Sequence, residues 1–191
     1  MRKVERGELL PLHEYEVIRD RFRARVIEHK RARRVALGPH MSAVFEDRDT
    51  VLHQVQEMLR TERITREDAV VHELETYNEL IPGHNELSLT LFVEIPDAAL
   101  REQMLVELAG LEETFFVEVD GSRFAARSET RGVIPGRTTA VHYAKVPLDD
   151  AAVAKLRSGK GAWSVGASHP RYSHATALAP ATVASIAHDV A

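Results

Sequence analysis

The chain has 191 residues, 44% hydrophobic and 28% charged, with 25 Lys and Arg against 29 Asp and Glu and no cysteine. That size and apolar content fit one globular domain with a buried core. A net charge of -4 provides no protein-wide basic field for nucleic acid or an anionic membrane, and without cysteine the chain has no disulfide, thiolate nucleophile, thiolate zinc site or protein-ligated iron-sulfur cluster of the usual kind.

The opening stretch MRKVERGELLPLHEY lacks the apolar core of a signal peptide, and no run approaches the roughly 18 apolar residues of a membrane span. The expectation is a cytoplasmic protein with no membrane association. After an entry turn at Leu9 to Leu12, Tyr15, Ile18, Phe22 and Val26 recur at helical spacing, and His29 and Arg33 continue the same stripe. The first helix therefore begins apolar and finishes polar on its inward face. Residues 35–37 and 42–46 form two short predicted strands around Gly38 and Pro39, and from Arg48 or Asp49 a second amphipathic helix carries Val51, Leu52, Val55, Met58 and Leu59, with Glu62 next on that face.

Thr65, with Asp68 three residues on, predicts the N-cap of a third helix, Ile64 and Ala69 a hydrophobic staple, and Val70, Leu74 and Tyr77 its buried face. Past the Ile81, Pro82, Gly83 turn the period changes to two: Leu87, Leu89, Leu91, Val93 and Ile95 alternate with Ser88, Thr90, Phe92 and Glu94, the clearest strand in the chain. Asp97 caps a fourth helix with Leu100, Met104 and Leu108 inward and Gly110 as terminator, and a strand follows over 114–119. Asp120 and Gly121 suit a type I′ hairpin, so residues 122–127 should pair back antiparallel. The Gly- and Pro-rich loop 128–138 is the expected mobile segment. A strand over 138–146 places Ala140, His142, Ala144 and Val146 on one face and Val141, Tyr143 and Lys145 on the other. A short helix over 149–158, a strand pair over 162–168 and 173–178, and a C-terminal helix from Pro180 complete the chain.

Helices first and antiparallel-type strands later predict an α+β fold, a mainly antiparallel sheet of about five or six strands with helices packed on one face. The alternative, a doubly wound parallel sheet, conflicts with the hairpin at 120–121, because parallel neighbours need a crossover. One domain is expected over 1–191, with a helical part at 13–81, a sheet-rich part at 86–178 and a C-terminal helix at 180–190.

The spacings HExxH, ExxH, GxGxxG after a strand, GxxxxGK[ST] and GxSxG are absent. Between Arg19 and Arg34 stand eight Lys or Arg and two acids, but only Arg19, Arg23, Lys30 and Arg34 share a stripe, so a nucleic-acid track is disfavoured against a solvated, ion-paired flank. The polar ends of the buried stripes bring a second constellation into view: Arg33 from the first helix, Glu46 and Asp47 after the hairpin, and Glu57 and Glu62 from the second helix, a charge-assisted cluster that either locks the helices or forms a binding site. A third set, His29, Glu94 and His142, has the nitrogen and oxygen donors that zinc, iron or manganese require, with His169 of SHPRY a weaker addition.

The blocks FRARVIEHKRARRVALGPHM, FEDRDTVLHQVQEMLRTERI, YNELIP, VEIPD, TTAVHYAKV and SHPRY together cover almost the whole chain. Through them the sequence resembles a family of bacterial proteins of unknown function, often encoded beside rubrerythrin and an iron-sulfur protein similar to heterodisulfide reductase. The resemblance implies a setting in peroxide defence or cytosolic electron transfer, in which a cysteine-free chain is an accessory or partner of a rubrerythrin-like or iron-sulfur protein. Three functions follow: a redox accessory protein, a metal-binding protein or metal-dependent enzyme using His29, Glu94 and His142, and a nucleic-acid binder using the basic stripe.

Overall fold

A computed structural model of the chain describes residues 1–129 and 134–190. Residues 130–133 of the loop expected to be mobile lie outside the described residues. The architecture is α+β and antiparallel, as the order of elements predicts, and the strands divide between two sheets.

Helix α1 (Leu12–Arg31) starts after Pro11 and closes on His29, Lys30 and Arg31, cations that complement the negative end of its dipole. Strands β1 (Arg34–Ala36) and β2 (Met41–Phe45) form the hairpin across Gly38, whose positive φ of 69° suits glycine. Helix α2 (Arg48–Thr61) is launched by Asp47, whose carboxylate accepts from the Thr50 amide while the Thr50 hydroxyl accepts from the Asp47 amide. Helix α3 (Glu67–Asn78) starts after Arg66, which makes no side-chain cap, so Thr65 is not the N-cap. The remaining elements are β3 (Glu86–Val93), α4 (Ala98–Glu107), β4 (Phe115–Val119), β5 (Ser122–Ala125), β6 (Arg127–Ser128), β7 (Val141–Pro147), α5 (Asp150–Arg157), β8 (Trp163–His169), β9 (Tyr172–Ala177) and α6 (Pro180–Ile186). Asp97 caps α4, but Leu100 faces solvent and Leu105 takes the buried place. Asp120 and Gly121 both have positive φ, 49° and 83°, as a type I′ turn requires.

The five-stranded sheet runs β1-β2-β3-β7-β6 and the four-stranded sheet β5-β4-β8-β9, with every pairing antiparallel. Strand parity sets the layers. Leu87, Leu89, Leu91, Ala144 and Val146 face the second sheet and share one core with Phe115, Val117, Trp163, Val165, Leu156 and Ile186. Ser88, Thr90, Tyr143 and Lys145 point the other way, toward α1–α3, whose Val51, Val55, Leu59, Val70 and Leu74 form a second apolar cluster with Val4 and Leu9. The order is helices, five-stranded sheet, four-stranded sheet.

Two devices close the sandwich edges. At one edge the chain passes from β5 in one sheet to β6 in the other across Ala126, whose amide still bonds the Phe115 carbonyl. At the other, the Tyr172 hydroxyl accepts from the His40 amide and donates to the Leu37 carbonyl at 2.6 Å, while Thr176 donates to the Ala36 carbonyl. The N-terminal segment is sewn to the helices by two buried amides: Gln56 bonds both backbone groups of Leu10, and Asn78 both of Val4. Among the described residues no helix is long and apolar enough to cross a membrane.

Close approach of β8 to its neighbours leaves no room at Gly166: a Cβ there would collide with the Phe116 ring and sit 2.9 Å from the His174 carbonyl. Gly166→Ala should therefore lower stability by about 1–3 kcal/mol through overpacking, read as a fall in the urea midpoint. An unchanged midpoint would mean the sheet is looser at this point than described.

Candidate functional site

Arg33 is 1% exposed, as buried as Glu46 and Asp189. Its Nε donates to the Phe45 carbonyl at 2.8 Å, Nη1 to the Ser185 hydroxyl at 3.0 Å and carbonyl at 3.3 Å, and Nη2 to the Glu46 carbonyl at 3.3 Å and to the Asp189 carboxylate. Asp47 lies 3.3 Å from Nη1 and pairs at 2.5 Å with His29 Nε2. The planar guanidinium thus ties the end of α1, the β2–α2 junction, the last turn of α6 and the segment after it, a task that its five fixed donors suit. Burial pushes the Asp189 carboxyl up to about 6 against the pull of Arg33, and the charge of Asp47 adds to the rise. For Asp47 burial is again the largest influence, but Arg33, the Thr50 amide and His29 together outweigh it and lower the pKa.

The expected polar cluster is brought together only in part. Arg33 and Asp47 meet directly, and Glu46 joins through its carbonyl while its side chain turns to the sheet, accepting from Thr90 Oγ1 at 2.7 Å. Glu57 sits elsewhere: it takes a two-pronged bond from Arg19 at 2.8 Å and the Tyr15 hydroxyl at 2.6 Å, and Arg19 above all lowers its pKa to about 2. Glu62 is the exposed C-cap of α2, where the stripe has run out of helix.

The metal set is separated, for a reason that strand parity supplies. His142 pairs with Leu91 on the apolar face, whereas Glu94 follows the opposite parity and accepts from Ser42 and Arg34, each at 2.5 Å, on the helix-facing side. His29 is engaged by Asp47, and among the described residues no three His, Asp or Glu side chains gather as a metal would need. Inside the core His142 lies 3.3 Å from the Thr138 hydroxyl, which bonds Glu112 at 2.8 Å, and burial lowers its pKa. His169 orders the β8–β9 turn, one ring nitrogen accepting from the Arg171 amide and the other near the Ala109 carbonyl. Two of the four cations of the basic stripe are neutralised, Arg19 by Glu57 and Arg34 by Glu94, and off the stripe Arg25 and Arg31 are paired with Asp49 and Glu28.

Of the concave features of the surface, two lie at the edges of the five-stranded sheet. The first, about 650 Å³, lies between the end of α1 and edge strand β1, with Ile27, Ala36, Pro39 and Met41 as apolar lining and Lys30, Arg31 and Arg34 as cations. The second, about 330 Å³, opens between the end of α3 and β6–β7. Asp189 and Ser185, which complete the Arg33 network, carry no signal in the sequence because their role arises only when the C-terminus folds over α1. Ser88 and Lys145 were visible as alternating strand residues, but their shared row needs the register.

Residues 3–190 match the model of a family described as a protein of unknown function, DUF3501. The chain belongs to the DUF3501 family. A protein of unknown function from Burkholderia pseudomallei K96243, solved as a crystal structure, is 35% identical to this DUF3501 chain over the whole of both chains, with a TM-score of 0.93. No curated protein matches it.

In this DUF3501 chain, Arg33→Met should cost about 3–5 kcal/mol, since Asp47 and Asp189 would lie buried without their cation. Loss of less than 1 kcal/mol in urea denaturation would contradict that role.

The raised pKa of Asp189 has a definite sign. Between its ordinary 3.8 and about 6 the folded chain holds a proton that the unfolded chain has released, so the contribution is full below that range and is lost as pH rises through about 6. The stability difference, wild type minus Asp189→Asn, should shrink by up to about 3 kcal/mol from pH 4 to pH 7. A difference that widens over that range would refute the assignment.

Proposed function

We propose that this protein is a cytoplasmic accessory protein of a redox or peroxide-defence system, and that it docks an acidic segment of a rubrerythrin-like or iron-sulfur partner in the groove between α1 and β1. The observation that carries the reading is the groove's chemistry: an apolar lining of Ile27, Ala36, Pro39 and Met41 beside Lys30, which has no ion pair among the described residues, and Arg31 and Arg34, which pair with Glu28 and Glu94. Apolar floor and charged rim are what a protein-binding patch needs for affinity and for orientation respectively. Ile27 is 48% exposed at its margin and Val17, further along α1, 83% exposed.

The sheet edge supports the same reading. In β1 the Arg33 carbonyl and the Leu37 amide bond toward β2, so by alternation the backbone groups of Arg34 face away from the sheet. An extended acidic segment alongside β1 would meet backbone groups and cations together. The redox setting rests on the family resemblance, and the separation of His29, Glu94 and His142 favours this reading over a metal enzyme built on them.

The partner should copurify from native cells and be identified as a rubrerythrin-like or iron-sulfur protein. Lys30→Glu combined with Arg31→Glu should weaken that association at least tenfold, and 0.5 M salt should weaken it too. Lys160→Glu, on the turn after α5, should leave it unchanged. Equal capture by the doubly reversed and wild-type chains, or no redox partner at all, would overturn the proposal.

A further inference from the structure

Two open sheets have four edges between them, and three of these are guarded. β1, β5 and β6 run for three, four and two residues, and each carries an arginine: Arg34, Arg123 and Arg127. Short length and charge both hinder pairing with a further strand. The fourth edge, β9, has neither protection. It runs for six residues, YSHATA, with no Lys, Arg, Asp, Glu or Pro, and Ser173, His174, Ala175 and Ala177 are exposed.

The register shows which backbone groups of β9 are spent. The Leu178 amide bonds the Trp163 carbonyl, and Ser164 pairs with Ala177. By alternation Tyr172, His174 and Thr176 exchange bonds with β8, while the N–H and C=O of Ser173, Ala175 and Ala177 turn outward. None of these outward groups has a protein partner among the described residues. The strand is also held extended in advance, because the Tyr172 hydroxyl donates to the Leu37 carbonyl and Thr176 to the Ala36 carbonyl across the gap to β1. An ordered edge loses little freedom when a further strand joins it.

The strand that fits this edge is the edge itself. Antiparallel pairing about a two-fold axis at Ala175 sets Ala175 against the second copy's Ala175 and Ser173 against its Ala177, each pair exchanging both backbone bonds. On the other face His174 stands against the second copy's Thr176. Every side chain in the outer row is a serine or an alanine, so none obstructs the approach. No like charges are opposed: Arg171, just before the strand, would lie across from Ala179 and is already paired with Glu107.

From this self-complementarity we propose that the chain forms a two-fold dimer in which β9 pairs with β9, joining the four-stranded sheets of two copies into one continuous sheet. A ladder of six residues spans about 20 Å and belongs at the low end of specific interfaces, so the dimer is reversible and micromolar rather than nanomolar. The proposal does not rest on the groove at α1.

Sedimentation of the full chain over a range of concentrations tests it. A monomer–dimer equilibrium is expected. Ala175→Lys, at an exposed position, sets two ammonium groups across the axis, and Ala175→Pro replaces an outward N–H, which an edge strand tolerates. Each should keep the far-UV circular dichroism of the fold and weaken the dimer at least tenfold, whereas Ala175→Thr should retain it. Since the chain has no cysteine, Ala175→Cys supplies a single thiol, and hydrogen-bonded antiparallel partners lie about 5.5 Å apart at Cα, within disulfide range. It should cross-link at least tenfold faster than Ser122→Cys on the exposed β5 edge. Lys30→Glu combined with Arg31→Glu should leave the dimer intact, which separates this interface from the groove. A chain that stays monomeric at several hundred micromolar, a dimer unmoved by Ala175→Lys, equal cross-linking at the two edges, or a monomer whose β9 takes up an unrelated extended peptide instead would each overturn the proposal.

Discussion

The structure depends first on one guanidinium. Arg33 stands at the point where α1 ends, β2 hands over to α2 and the C-terminal segment folds back, and it bonds to each of them. Ser185 and Asp189 are 152 and 156 residues away in sequence, so this contact closes the longest loop the network contains. Burying a charge is unfavourable unless its donors are spent, and here carbonyls, a hydroxyl and two carboxylates spend them. A lysine at this place would offer a point charge without the planar fork that reaches three segments at once. Asp47 doubles the effect because the carboxylate that faces Arg33 also caps α2.

From that junction the sheet inherits an asymmetry. The strand pair β3–β7 turns leucines and alanine to the second sheet and serine, threonine, tyrosine and lysine to the helices. An apolar contact on both faces would bind the layers more firmly. The polar face instead leaves buried oxygens at the seam between layers, where the helical layer ends short of β6 and a cleft opens. The groove beside α1 and this cleft lie at opposite edges of this one sheet, at β1 and at β6.

Much of the fold was legible in the residues themselves. The alternation from Leu87 to Ile95, the Asp120–Gly121 turn and the inward place of His29 on α1 each depend on local periodicity, and each appears where it was expected, while Arg33 faces inward from the turn two residues past the end of α1. Division into two sheets was not legible, because it depends on the chain crossing from one sheet to the other at Ala126, and alanine carries no mark of that role. The candidate metal set failed for the same kind of reason: strand parity places Glu94 and His142 on opposite faces, and only the register shows that their strands are neighbours while their side chains diverge. Glu62 was extrapolated one residue beyond the end of its helix. Asp189 and Ser185 lie in a small-residue C-terminal stretch with no pattern to single them out.

The central claim is that the Arg33 junction makes the C-terminal segment part of the same cooperative unit as the strands it locks. Native-state hydrogen exchange measures this directly. The amides of Ala187 and Asp189, which bond the Val183 and Ile186 carbonyls, should open with the same free energy and the same denaturant dependence as the Phe45 amide of β2. Exchange at Ala187 and Asp189 through a separate opening, several kcal/mol below that of Phe45, would show that the C-terminus rests on the fold without being locked into it, and would contradict the account.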